Sequence, residues 1–237
     1  METLVTTKVS IVLCPFLHIM DVNTKERIQV KSAELFMRYG IRSVSMDDIA
    51  LQLGISKKTI YLYFMDKDEL VDAVIADELG SMREDCQRSL TDSNDAVEEI
   101  FLTIEQLVEQ FKNMTPVVVY DLQKFHFRSY QKFVEHKQKY LLQIIKDNLE
   151  RGVKEELYRP EINIDILSKF RLDSMMIPFN MDVFPPTKYN LVDTTKEIIE
   201  HYLFGVATPK GYKLIVKYKE EQIKKAKEHE IVSGKAK

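Results

Sequence analysis

Lys57, Lys58, Thr59, Tyr61 and Tyr63 crowd into seven consecutive residues. These side chains hydrogen-bond base edges and neutralise phosphates, and are not a set that moves protons or attacks carbonyls. Ser56 stands where a helix N-cap would stand, and Ile60 and Phe64, four residues apart, share the opposite face, so the polar five are left outside. Two lysines in a first helical turn oppose the positive end of the helix dipole, a cost of a few tenths of a kcal/mol or more. Cations held there against the dipole imply contact with a polyanion. Catalysis has no comparable cluster: the chain lacks a G-x-G-x-x-G, a P-loop, a G-x-S-x-G and an H-E-x-x-H. Glu197 and His201 are four apart, but without further ligands they make no metal site. No cofactor and no enzymatic activity are expected.

The elements that must position these residues are readable beside them. Met46, Ile49, Ala50 and Leu53 recur at three and four, the stripe of a short helix. Ser45 is placed to cap that helix, with Asp48 in capping-box position, and Gly54 ends it. Ile55 then turns the chain back onto a core. Two short helices around a glycine turn, the second carrying exposed cations, make a helix-turn-helix whose second helix enters the major groove.

The run Lys25–Leu70 resembles the DNA-binding domain of the TetR/AcrR transcriptional regulators. The resemblance rests on L-F-x-x-x-G (Leu35, Phe36, Gly40), S-M-x-x-I-A from Ser45, G-I-S at the turn, T-I-Y-x-Y-F over Thr59–Phe64, and D-K-D-E-L. It implies a DNA-binding set of Ser45, Met46, Ser56, Lys57, Lys58, Thr59, Tyr61, Tyr63 and Lys67. Within it, Lys57, Lys58 and Thr59 reach base edges or nearby backbone, Tyr61 and Tyr63 meet phosphates or thymine methyls, and Ser45 and Lys67 clamp phosphates. Whichever of Asp47 and Asp48 faces the duplex opposes binding. The partners implied are a double-stranded pseudo-palindromic operator, a second copy of the chain, and a small hydrophobic effector that releases the repressor. The competing reading is a helical ligand-binding or protein-interaction module that no longer reads DNA.

The rest of the 237 residues fits an all-α protein of this kind, with scarce Gly and Pro (7 each) and long stretches of Leu, Ile, Glu, Lys and Gln. A net charge of −3 confines any nucleic-acid surface to a local patch. Cys14 and Cys86 have no paired spacing, which fits a reducing cytoplasm. Residues 1–19 match nothing that follows and read as a disordered arm or an upstream start; their apolar part holds Pro15 and His18 and is too short for a membrane span. Residues 20–66 form the DNA-binding domain, 67–211 a helical ligand-binding and dimerisation domain, and 212–237 a charged, solvated tail.

In the second domain the spacing predicts helices from Lys67 to about Leu90, Asp95 to about Asn113, a short one after Pro116, Arg128–Arg151 ended by Gly152, Ile164–Ile177 and Val192–Phe204. Aromatic residues are dense between Phe101 and Tyr140. From the family, Phe101, Phe125, Tyr130 and Met175 are expected to line an effector cavity. Phe170, Ile198 and Tyr202 are expected at a dimer interface formed by the last two helices.

Overall fold

The computed structural model describes residues 24–234, so the expectations for residues 1–19 and for Cys14 lie outside the described residues. The N-terminal unit is α1 (Thr24–Tyr39), α2 (Met46–Leu53) and α3 (Lys57–Tyr61). α4 (Lys67–Asp92) leads into α5 (Ala96–Phe111), α6 (Val117–Phe125), α7 (Phe127–His136) and α8 (Leu142–Lys154). α9 (Ile164–Ser174), α10 (Leu191–Val206) and α11 (Pro209–Gly234) complete the chain. Among the described residues the regular elements are helical, apart from one isolated bridge between Tyr158 and Ala207.

Local signals account for the N-terminal unit. Ser45 Oγ accepts from Asp48 N at 3.2 Å while the Asp48 carboxylate accepts from Ser45 N at 2.8 Å, a complete capping box. Gly54, at φ +66°, closes α2 in the left-handed region that favours glycine. Ser56 caps α3 through Thr59 N at 3.1 Å. The buried sides of α1 to α3 (Ile28, Phe36, Met46, Ile49, Ile60 and Phe64 among them) form one core with Leu70, Val71 and Val74 of α4 and with Val118 and Leu122 of α6. Tyr39, the last residue of α1, is 52% exposed.

A second core joins α5, α8, α10 and α11 through Val97, Phe101, Leu149, Tyr158, Leu203 and Ile215. Three expectations change here. The helix anticipated over Arg128–Arg151 is two α-helices around a π turn, Lys137–Leu141, and Gly152 lies inside α8 instead of ending it. A Cβ on Gly152 would stand 2.0 Å from the Tyr158 ring, so glycine is there for close packing. The charged tail is also not wholly solvated: α11 starts at Pro209, Ile215 is fully buried, and Tyr218 donates to Asp95 at 2.7 Å. Alternating charges marked a solvated face correctly but hid the apolar positions spaced between them.

Candidate nucleic-acid interface

α3 is only five residues long, held by the Ser56 cap and by burial of Ile60 and Phe64. Burying those two turns Lys57, Lys58, Tyr61 and Tyr63 outward, with Leu62 (75% exposed) and Met65 (79%) beside them. These two exposed apolar residues are additions that polarity alone did not point to. Thr59 is half-buried and its hydroxyl lies 2.8 Å from that of Ser56, so each occupies the other. Lys57 Nζ donates to Asp47 at 2.7 Å, and that bond raises its pKa. Asp48 is committed to the capping box with Ser45, which lowers the pKa of its carboxyl group.

Two residues expected to bind DNA are engaged within the chain. Met46 is 6% exposed, part of the first core, because the α2 stripe that includes Ile49 and Ala50 faces inward. Lys67 turns its ammonium back to the Ile41 carbonyl at 2.6 Å and over the Phe36 ring at 5.8 Å; burial lowers its pKa. Lys67 thus fastens the loop between α1 and α2, while its backbone still opens the N-terminus of α4.

Asp121, buried in α6, fastens the same loop from the other side by accepting from Arg42 N at 2.8 Å. Gly40, at φ +85°, lies so near that a Cβ there would be 3.1 Å from Asp121 Oδ2. Thr115 N donates to Met37 O at 2.8 Å just before α6. An internal carboxylate 79 residues from its partner gives no periodic signal, so sequence reading missed it.

Behind α6 lies a cavity of about 170 Å³ between α1, α4, α5, α6, the π turn and α9. Five methionines (Met37, Met82, Met114, Met175 and Met176) and the edge-to-face pair Phe111 and Phe179, 5.4 Å apart, make up much of its wall. Its polar members include Glu78, Gln110, Lys137 and Arg171. Burial raises the Glu78 pKa and pushes the Cys86 thiol, also on the wall, up to about 11. Met175 lies on this wall. Phe101 instead packs in the second core against Tyr218, Phe125 is 41% exposed under Arg42, and Tyr130 packs beside Phe133 on the first core. The cavity wall is mainly aliphatic and thioether.

Of the expected dimer residues, Phe170 is exposed, Ile198 is half-buried, and Tyr202 is buried at 7%. The Tyr202 ring stacks 6.4 Å from Phe170 inside one chain. Among the described residues no three His, Cys, Asp or Glu side chains are grouped to hold a metal ion. No helix among them is long and apolar enough to cross a membrane.

Residues 29–74, which span the helix-turn-helix and the start of α4, match the family model for bacterial regulatory proteins of the tetR family. Over these residues the chain carries a DNA-binding unit of the tetR type. The similarity to TetR regulators extends beyond that unit. The HTH-type transcriptional repressor KstR2 of Mycobacterium tuberculosis is 24% identical over 151 residues, 62% of this chain and 74% of that protein. A TetR-family regulator from Agrobacterium tumefaciens superposes with a TM-score of 0.65 at 15% identity, over 78% of this chain and 97% of that one. The regulator FadR from Bacillus subtilis, solved in complex with stearoyl-CoA, gives a TM-score of 0.59 at 21% identity, over 76% and 98%. The TetR fold, a helix-turn-helix domain joined to a larger helical domain, therefore covers most of the chain.

Proposed function

We propose that this TetR-family regulator is a cytoplasmic homodimeric repressor that leaves a pseudo-palindromic operator when a small apolar effector fills the cavity behind α6. One observation carries the reading: α4 is built into both ends. Its first turns, Leu70, Val71 and Val74, belong to the core under the recognition helix, and further along Leu79, Met82 and Cys86 line the cavity. A ligand that displaces the middle of α4 therefore also tilts the helix-turn-helix. Two half-sites one helical turn apart, about 34 Å, are engaged together only at one separation of the recognition helices. A coupling of about 1–3 kcal/mol is enough to change occupancy.

In this reading Lys58, Tyr61 and Tyr63 face DNA directly, and Lys57 joins them by exchanging Asp47 for the duplex. Ser45 and Ser56 contribute through the backbone of the helices they cap, with Thr59 beside them. The N-terminal backbone of α4 at Lys67 offers a phosphate site. The complex of the similar regulator FadR with stearoyl-CoA supports an apolar effector. Ile166, 62% exposed, and Phe170, 55% exposed and four residues on along α9, support a face for the second subunit. The division into a reading domain through residue 66 and a helical domain beyond it belongs to the same proposal, with α11 added to the second.

The test is titration of a DNA fragment from upstream of the coding region at several salt concentrations. Tight binding with a steep negative salt slope is expected. Salt-insensitive or absent binding by a folded dimer would favour the competing reading, a helical module that no longer reads DNA.

A further inference from the structure

Arg171, in α9, is 5% exposed and lines the cavity. Among the described residues no carboxylate pairs with it. Its guanidinium reaches the Ser174 hydroxyl at 3.5 Å and lies 5.6 Å from the Tyr202 ring centroid, and the Tyr202 hydroxyl is itself buried without a hydrogen-bond partner. A guanidinium offers five donors, so most of its capacity is unused. A buried unpaired cation is strongly unfavourable, and burial accordingly lowers the Arg171 pKa to about 10. Such a group is tolerable where something that enters the cavity completes it.

A second cation stands on the same wall. Lys137 opens the π turn, a backbone irregularity that recurs at functional sites, and its side chain is 14% exposed. Its acidic partner, Asp173 at 3.1 Å, is 76% exposed and so lies largely in solvent. The wall's own acid, Glu78, bonds Gln110, and burial favours its neutral form. The wall is therefore apolar over most of its surface and carries two cations.

We propose that the effector is an amphipathic carboxylate, its apolar body along the methionine wall and its carboxylate paired with Arg171. This rests on the cavity being the effector site. Bidentate pairing of a carboxylate with a guanidinium supplies the missing acceptors in a geometry that lysine does not match.

The experiment measures calorimetric binding of straight-chain acids of six to sixteen carbons, the matching alcohols, and the coenzyme A thioesters of the same acids. Wild-type protein and Arg171→Met are compared. The best acid is expected to bind wild type at least about tenfold more tightly than its alcohol, a preference that falls to about twofold or less in Arg171→Met. Removing an unpaired buried charge should leave the melting temperature of the ligand-free variant unchanged or higher. Equal binding of acid and alcohol by wild type would overturn the proposal, as would no binding by any acid or a preference that survives in Arg171→Met. Thioester binding without acid binding would overturn it too, by placing the ligand's anion outside the cavity. If Arg171→Met does not fold, the wild-type comparison decides alone. Salt-dependent DNA binding by ligand-free wild type is measured in parallel. Retained DNA binding with no acid preference removes only this inference, whereas its loss removes the regulator reading.

Discussion

Asp47 competes with DNA for Lys57, and the strength of that competition is accessible to mutation. The pair is exposed on both sides, so it contributes little. Asp47→Ala should raise operator affinity by up to about fivefold, since it frees the ammonium and removes a negative charge near the phosphates. Titration against the same DNA fragment checks this, and weaker binding would place Asp47 away from the duplex. Lys58→Ala should relax sequence preference by about 1–3 kcal/mol at one base position, read by competition among operator variants. His136 supplies a test of a different kind. Its ring is buried, Nδ1 accepts from Arg83 Nε at 3.3 Å, Nε2 has no partner, and burial lowers its pKa. With the folded pKa below the unfolded value near 6.5, the unfolded chain binds the proton first as pH falls. Stability is therefore undiminished above about pH 6.5 and declines below it. Thermal melts between pH 7.5 and 5.5 should show that decline, and His136→Phe should flatten it.

Close approach between elements decides much of what the helices can do. Gly152 admits the Tyr158 ring, whose hydroxyl donates to the Ala96 carbonyl at 3.0 Å and so ties α8 to α5. Gly152→Ala should destabilise the protein by about 2–3 kcal/mol or prevent folding, measured by urea unfolding. A near-neutral result would mean that Tyr158 swings aside. The helix-turn-helix was legible because its signals are local: Ser45, Asp48, Gly54 and Ser56 act within four residues of themselves. Asp121, Gly152 and Arg171 were not, since each depends on a partner or a cavity that only the folded chain assembles. The π turn escaped because a π turn and an α-helix share nearly the same apolar spacing over five residues.

At the scale of the molecule, the same contrast explains the aromatic misplacements. Of the Phe and Tyr between residues 101 and 140, Phe101 and Tyr130 were absorbed by two separate cores, while Tyr120, Phe125 and Phe127 are exposed. Which core claims a ring is a question of topology, and spacing along one helix does not contain it. The proposed subunit face has a direct test. Ile166→Asp with Phe170→Asp should shift the protein from dimer to monomer in light scattering and reduce operator affinity by at least about tenfold, because one half-site is then held alone. A dimer that persists would locate the contact on another surface.

The five thioethers around the cavity have a further consequence. Methionine side chains are unbranched and readily change shape, so a wall built from them enforces no single outline. Such a lining tolerates occupants that differ by several carbons, and selection on it would act through the charged end. The gene's response would then follow the summed abundance of a chemical class, as a gauge of metabolic load, instead of the level of one compound.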